Sequence, residues 1–276
     1  MPPMDAEVPF DAEREYNNRA RVPGHGAVIA KWARDAAAFR AAAPAGSRLA
    51  IPYGPGERQH FDLFGPAEGQ PVAMFIHGGY WQALDGSFVS HCAAGLVARG
   101  VSVAVPTHDL APAVPLAAIV EQARAAALAL HRLTGRRILA MGHSAGGHLA
   151  AMLAATDWCA IDARLPQRLV GAILPVSGLF ELEPLLGTSV VAAMGLDRAT
   201  ARVLSPRFLP APGVPAHAVV GGEESSEYLR QTRDFAAAWG GSSEAVPGAD
   251  HFTVLAPFAD PAHPLVGRAA AMARLP

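Results

Sequence analysis

Short apolar segments alternate with helical patterns along most of the chain, and this alternation constrains the fold more than any other feature. Five segments are short and apolar and are followed by turn-forming residues, which predicts strands buried on both faces: 71–79, 101–107, 136–142, 169–178 and 216–222. Helical spacing that ends at or near glycine marks 87–100, 115–135 and 226–241. Strand–helix alternation predicts an α/β fold with a mostly parallel central sheet flanked by helices.

Other segments complete the predicted organisation. Residues 58–66 alternate in polarity and predict an antiparallel edge strand, and the alanine-rich segments 33–43 and 123–129 predict helices. The proline-rich residues 180–215 break the rhythm and indicate a short, lid-like excursion over the strand ends. Because no internal repeat or linker divides the chain, we expect a single domain over 1–276.

Composition narrows the classes of partner and compartment. Hydrophobic residues make up 51%, charged residues 17%, and the formal net charge is −2. We therefore expect a globular protein with a small-molecule substrate and neither a nucleic acid nor a membrane partner; a homodimer remains open. Two cysteines, Cys92 and Cys159, give neither a disulfide framework nor zinc spacing, and the acidic residues 1–18 do not resemble a signal peptide. These features favour the cytoplasm.

Ser144 lies in Gly142-His143-Ser144-Ala145-Gly146, which matches the pattern G-x-S-x-G. In that pattern a sharp strand-to-helix turn exposes a nucleophilic serine, and glycines flank it because neighbouring backbone passes too close for side chains. An apolar strand precedes the motif and a helical segment, 146–156, follows it. The alternative is a tight turn without chemistry.

A second loop, "FIHGGYW" at 75–81, also ends a predicted strand. The N–H groups of Gly78 and Gly79, with that of Ala145, could stabilise an oxyanion, whereas His77 is expected to hold the loop through hydrogen bonds. Tyr80 and Trp81 would supply an aromatic wall for substrate. The alternative is that His77-Gly78-Gly79 is only a turn.

A serine nucleophile needs a base, and the chain has 11 histidines. His251, in "PGADHFTVLAP", is the best candidate because it follows the last predicted strand, where a loop can carry an imidazole over the serine. His143 and His148 flank Ser144 and are expected to pack or to line the pocket, with His143 among the substrate-binding residues. Other histidines fall on a helix, a strand start and a surface turn: His131, His217 and His263.

The acid that orients the base should lie between the serine and the histidine. Glu223 and Glu224 follow the strand at 216–222, and a position three residues beyond Gly221 favours Glu224. Asp250 adjoins His251, and neighbouring residues rarely point at each other well enough to share a proton. At least one of the two glutamates is expected to be a solvated loop acid.

Together these motifs resemble the α/β-hydrolase superfamily, and within it the kynurenine formamidase (arylformamidase) branch and its bacterial esterase relatives. The resemblance lies in several stretches that span nearly the whole chain: "YNNRARVPG" at 16–24, "HGGYW" at 77–81, "GHSAGGHLAA" at 142–151, "SGLFELEPL" at 177–185, "GGEESSEYLRQ" at 221–231 and "DHF" at 250–252. It implies a triad of Ser144, Glu224 and His251, with no metal or other cofactor.

The resemblance also implies hydrolysis of N-formyl arylamines, such as N-formylkynurenine, through an acyl-enzyme. Two positions depart from the family: Glu181 stands where aspartate is common, and Glu224 where animal formamidases carry aspartate. A general carboxylesterase acting on short-chain esters is the alternative, since it would share every motif. A non-catalytic ligand-binding protein on the same fold is a more remote one.

Overall fold

An eight-stranded sheet organises residues 10–275, the part of the chain that this computed structural model describes. The strands are β1 (Arg48–Pro52), β2 (His60–Phe64), β3 (Val72–Ile76), β4 (Ser102–Thr107), β5 (Ile138–His143), β6 (Val170–Val176), β7 (His217–Gly221) and β8 (Ser242–Val246). They lie in the order β1-β2-β4-β3-β5-β6-β7-β8. Strands β3 to β8 run parallel, and β2 pairs antiparallel with both β1 and β4. The predicted α/β class and all five predicted parallel strands are confirmed.

The edges of the sheet differ from the expectation. β2 is antiparallel as predicted, but it is not the edge strand, because β1 pairs with it in a register that sets Ile51 opposite Phe61. β1 and β8 had no clear signal in the sequence. Both are largely exposed edge strands, so neither carries the apolar run by which a buried strand is recognised.

Helices cover both faces of the sheet. They are α1 (Ala12–Tyr16), α2 (Asn18–Arg21), α3 (His25–Ala41), α4 (Ala94–Ala98), α5 (Leu116–Thr134), α6 (Ala145–Ala154), α7 (Trp158–Ile161), α8 (Arg198–Val203), α9 (Ser226–Ala238) and α10 (Pro264–Met272). One buried cluster joins the sheet to α5, α6 and α9, and a second joins it to α3, α4 and α10. Successive β3 residues, such as Met74 and Phe75, enter opposite clusters, as the alternation of side chains along a strand requires.

The predicted helix at 87–100 is only partly α-helical. Two 3-10 turns, Gly86–Phe88 and Ser90–Ala93, precede the short helix α4. Ser90 Oγ donates to the Gly86 carbonyl at 2.9 Å, which satisfies that carbonyl locally in place of a regular helical bond. The other two predicted helices form as α5 and α9.

The excursion predicted at 180–215 is confirmed as a departure from the strand–helix rhythm. It consists of α8 and the 3-10 turns Glu183–Leu185, Ala192–Met194 and Pro206–Phe208. His148 Nε2, on α6, donates to the Leu204 carbonyl at 2.8 Å and so ties the excursion to the body of the fold.

Within residues 10–275, none of the helices is both long enough and apolar enough to cross a membrane. The expectation about the acidic N-terminus falls partly on residues 1–9, which lie outside the described residues, and it stays a prediction.

Candidate active site

Ser144 occupies a strained turn between β5 and α6. Its backbone has φ 55° and ψ −117°, a conformation that costs free energy in a non-glycine residue and holds the hydroxyl above the sheet. A Cβ at Gly146 would lie 2.1 Å from the Ile76 carbonyl oxygen, and one at Gly142 would lie 2.3 Å from the Gly146 carbonyl oxygen. The two glycines of the motif are therefore required by close backbone contacts.

Glu224 and His251 reach the same edge of the sheet because each follows a parallel strand, β7 and β8 respectively. His251 Nδ1 donates to Glu224 Oε2 at 2.6 Å, and both residues are buried. His251 and Ser144 line one cleft. No hydrogen bond joins the Ser144 hydroxyl to His251 among the described residues, so proton transfer between them requires a small approach of the two side chains.

The other oxygen of the Glu224 carboxylate is also occupied. Oε1 accepts from Ser177 Oγ at 2.5 Å and from the Gly221 N–H at 2.7 Å. Ser177 directly follows β6 and has φ 50°, so its side chain is carried to the same edge by another parallel strand. No role for Ser177 was predicted; its position at the carboxyl end of a predicted strand was the available signal.

The other acids singled out in the sequence lie elsewhere. Glu223 is exposed, and Asp250 Oδ1 accepts two backbone N–H groups of its own turn at 2.8 Å. Glu181, the position that departs from the resemblance, pairs with Arg207 at 2.8 Å and with Arg230 at 3.0 Å. The structure therefore brings only Glu224 of these acids to the imidazole, within the described residues.

The loop after β3 packs directly on Ser144. A Cβ at Gly78 would lie 3.2 Å from Ser144 Cβ, and Gly79 has φ 106°. The N–H groups of Gly78 and Gly79 donate no hydrogen bond within the described residues. The Ala145 N–H lies in the first turn of α6, where no intrahelical acceptor exists. All three N–H groups are thus free to donate to a substrate oxygen.

His77 stabilises that loop from behind. Its Nδ1 donates to the Gly78 carbonyl at 2.8 Å, and its ring stacks on His108 with the centroids 4.4 Å apart. Burial lowers the pKa of His77 well below the ordinary histidine value, so the ring is neutral. These contacts fit the structural part expected of His77.

His143, expected to bind substrate, lines the cleft and also holds the loop that carries His251. Its Nε2 donates to the His251 carbonyl at 2.7 Å. Burial lowers the pKa of His143, so the neutral ring keeps its proton on the nitrogen that faces this carbonyl. The placement of His143 therefore includes a positioning contact that the sequence did not indicate.

Of the two residues expected to form an aromatic wall, Tyr80 lines the cleft and Trp81 does not. Trp81 is fully buried, and its ring lies edge-on to His148 with the centroids 5.1 Å apart. The assignment of Trp81 to the wall is corrected on this ground: Tyr80 and Trp81 both have positive φ, and the turn leaves the Trp81 ring in the core, with its centroid 6.3 Å from that of Tyr80. Trp32 and Phe252 supply the further aromatic surface.

A tyrosine cluster beside the serine had no assigned part. The Tyr80 hydroxyl lies 2.9 Å from the Tyr228 hydroxyl, and the Tyr228 ring lies 4.7 Å from that of His251. Burial raises the pKa of the Tyr228 phenol, and the nearby polar side chains of Tyr80, Asn18 and Ser144 partly offset this rise. Tyr228 therefore presents a neutral hydroxyl close to Ser144.

The cleft is narrow: the space that a water molecule can enter is about 40 Å³, well below the volume of typical ligand pockets. Its outer wall comes from α2 and α3, through Asn18, Arg19, Ile29 and Trp32. The excursion at 180–215 contributes instead to a neighbouring groove, through Ser189 and Val190. No group of three or more histidine, cysteine, aspartate or glutamate side chains is placed to hold a metal ion in the part of the chain that the structure describes.

Comparisons with known proteins agree with this architecture. The family model BD-FAE matches residues 61–185. A kynurenine formamidase from Salmo salar is 31% identical over 240 residues, which cover 80% of each chain. A solved structure from Silicibacter sp. TM1040, described as a proposed thioesterase, is 33% identical with a TM-score of 0.85 and covers 94% of this chain and 98% of that one. An esterase from Pyrobaculum calidifontis shares the fold at 18% identity, with a TM-score of 0.69 and coverage of 97% and 95%.

Proposed function

The chain is a hydrolytic enzyme that belongs to the kynurenine formamidase family of α/β-hydrolases, and we propose that it is a serine hydrolase that cleaves N-formyl arylamines such as N-formylkynurenine. The observation that carries this proposal is the 2.6 Å bond from His251 Nδ1 to a fully partnered Glu224 carboxylate, in a cleft that both His251 and Ser144 line. Such a substrate would place the enzyme in tryptophan catabolism, and we propose the cytoplasm as its compartment.

In the first half of the reaction, Ser144 Oγ attacks the formyl carbon and its proton passes to His251 Nε2. Glu224 fixes the imidazole with Nδ1 protonated and stabilises the imidazolium that forms. The carbonyl oxygen becomes an oxyanion, which the N–H groups of Gly78, Gly79 and Ala145 stabilise. When the C–N bond breaks, His251 gives its proton to the departing nitrogen and the serine is left as a formyl ester.

In the second half, water attacks the formyl ester while His251 takes its proton. Formate leaves, and Ser144 regains its hydroxyl proton from His251. Protonation of the nitrogen matters because an arylamine leaves poorly as an anion. Residues that fix the position of the His251 ring, such as His143 and Glu224, therefore contribute more to the hydrolysis of an amide than to that of an ester.

The size and walls of the cleft support a formamide. The narrow cleft favours a very small acyl group, such as formyl, over a longer one. Tyr80, Trp32 and Phe252 offer aromatic surface to such a ring, and ring contacts of this kind contribute about 0.5–1.5 kcal/mol beyond the area they bury.

The test is kcat/KM for N-formylkynurenine against 4-nitrophenyl acetate and 4-nitrophenyl butyrate. We expect the formamide to be the better substrate. A formamide value several hundredfold below those of the esters would contradict the proposal and leave a carboxylesterase that uses the same residues.

A second experiment separates an enzyme from a ligand-binding protein. A fluorophosphonate probe should label the wild-type protein on Ser144 and should not label Ser144→Ala, as seen by mass spectrometry of the peptide. Absence of labelling in the wild-type protein would contradict the assignment of Ser144 as nucleophile.

A further inference from the structure

Asn18 has a buried amide with no partner. The residue is only 4% exposed, and its Nδ2 lies near the Tyr228 hydroxyl but makes no hydrogen bond within the described residues, yet it lines the cleft of Ser144. Leaving a buried N–H donor unpaired is unfavourable, and such groups in native proteins call for an explanation. An acceptor on a bound ligand would satisfy it.

The position of Asn18 is built by several contacts. Asn17 Oδ1 caps α2 by accepting from the Ala20 N–H at 3.1 Å, and Asn17 Nδ2 donates to Glu13 at 2.7 Å. The Tyr16 hydroxyl donates to Glu227 at 2.6 Å, which ties α1 to α9. Asn18 is therefore held in the cleft by its neighbours on both sides, while its own side chain is left unbonded.

Arg19, the next residue, lies at the mouth of the cleft. It is exposed and lines both this cleft and the neighbouring groove, and neither wall includes an aspartate or a glutamate. Its guanidinium forms no ion pair or hydrogen bond in the described part of the chain. It is also the only lysine or arginine among the described residues of either wall. The Glu13 carboxylate beside the neighbouring groove is already bonded to Asn17 and Ser189, so the Arg19 charge remains available at the entrance.

We propose that α2 selects the leaving group: Arg19 pairs with a carboxylate, and Asn18 Nδ2 donates to a carbonyl oxygen outside the scissile bond. This inference rests on the proposed function. Because the N–H groups of Gly78, Gly79 and Ala145 are available for the formyl oxygen, the Asn18 amide remains free for a second oxygen. The substrate class is an N-formyl arylamine that carries a ketone attached to its aromatic ring and a carboxylate.

Three formamides separate these contributions. N-Formylkynurenine carries the ketone and the carboxylate, N-(2-acetylphenyl)formamide keeps only the ketone, and formanilide has neither. For Arg19→Ala we expect KM for N-formylkynurenine to rise about tenfold, as loss of a charge-assisted pair implies, with KM for the other two unchanged. Arg21→Ala is the matched control, since Arg21 is exposed on the same helix and lies outside both walls.

For Asn18→Leu, which keeps the number and branching of the side-chain heavy atoms and removes the donor, we expect kcat/KM to fall about tenfold more for both ketone substrates than for formanilide. Retained formanilide turnover also shows that the variant is folded. Equal losses on all three substrates would assign Asn18 a structural part only and overturn its half of the inference.

The outcomes keep the two proposals apart. If the wild-type enzyme fails to hydrolyse N-formylkynurenine, the proposed function fails and this inference fails with it. If the wild-type enzyme is active, but Arg19→Ala changes KM for N-formylkynurenine and for N-(2-acetylphenyl)formamide to the same extent, or changes neither KM, only the selection by α2 is overturned.

Discussion

The two sides of the cleft differ in how completely their polar groups are bonded. On the sheet side, both oxygens of Glu224 are occupied and His251 is held through its ring and through its backbone carbonyl. On the helical side, the Asn18 amide and the Arg19 guanidinium have no partner within the described residues. The side assigned to chemistry is thus organised before substrate binds, whereas the side assigned to recognition has unpaired polar groups that can bind a ligand.

The largest effect should come from the sheet side, at Ser144. Ser144→Ala removes the atom that forms the covalent bond, so we expect kcat/KM for N-formylkynurenine to fall about 10⁴-fold or more. The melting temperature should not fall, because the change to alanine removes no packing contact that the fold requires. Activity within tenfold of wild type would remove Ser144 from the chemistry and with it the distinction between the two sides.

Glu224→Gln should have the next largest effect. Loss of the carboxylate leaves the imidazole without its orienting charge, and we expect kcat to fall about 10³- to 10⁴-fold. Asp250→Asn is the matched control, because Asp250 adjoins His251 and bonds only to its own turn. A severe loss in Asp250→Asn with a mild one in Glu224→Gln would move the acid to Asp250.

Ser177→Ala should reduce kcat about tenfold, since it removes one hydrogen bond to a charged carboxylate while leaving the triad present. Ser90→Ala is a suitable control, because Ser90 Oγ is also buried and hydrogen-bonded but donates to Gly86 in a different turn. If both variants behave alike, Ser177 serves the fold and the bonding of the carboxylate matters less than proposed.

The smallest effect concerns stability and pH. Burial lowers the pKa of His108 and His148 to about 4, below the ordinary value of about 6.5 that applies to the unfolded chain. Between these values the unfolded state binds more protons, so each histidine lowers the free energy of unfolding by about 1.4 kcal/mol for each pH unit of acidification.

We therefore expect a lower melting temperature at pH 5 than at pH 7. His148→Gln should make the melting temperature less dependent on pH over this interval, whatever its absolute value. An unchanged dependence on pH would show that His148 does not contribute to the loss of stability in acid.

The sequence predicted those features that leave a local pattern. Buried parallel strands appear as apolar runs, and the turn around Ser144 requires glycines in a fixed order, so both were accessible without coordinates. Glu224 and His251 could be placed because residues that follow parallel strands meet at one edge of the sheet. The same rule would have pointed to Ser177, which follows β6.

Other features depend on contacts between distant segments. The chain has two asparagines, Asn17 and Asn18, and the sequence assigned a role to neither; Asn18 lies in the cleft because α1 is bound to α9 through Tyr16 and Glu227. Trp81 was misplaced because its direction depends on a backbone with positive φ, which the residue type does not indicate. The exposed strands β1 and β8 form through pairing with neighbours and not through their own composition.

The most direct test of the division between the two sides is to measure kcat and KM separately for Glu224→Gln and Arg19→Ala with N-formylkynurenine. We predict that Glu224→Gln lowers kcat and leaves KM near its wild-type value, and that Arg19→Ala raises KM and leaves kcat near its wild-type value. The division would be contradicted if both variants changed the same constant, or if Arg19→Ala lowered kcat with KM unchanged.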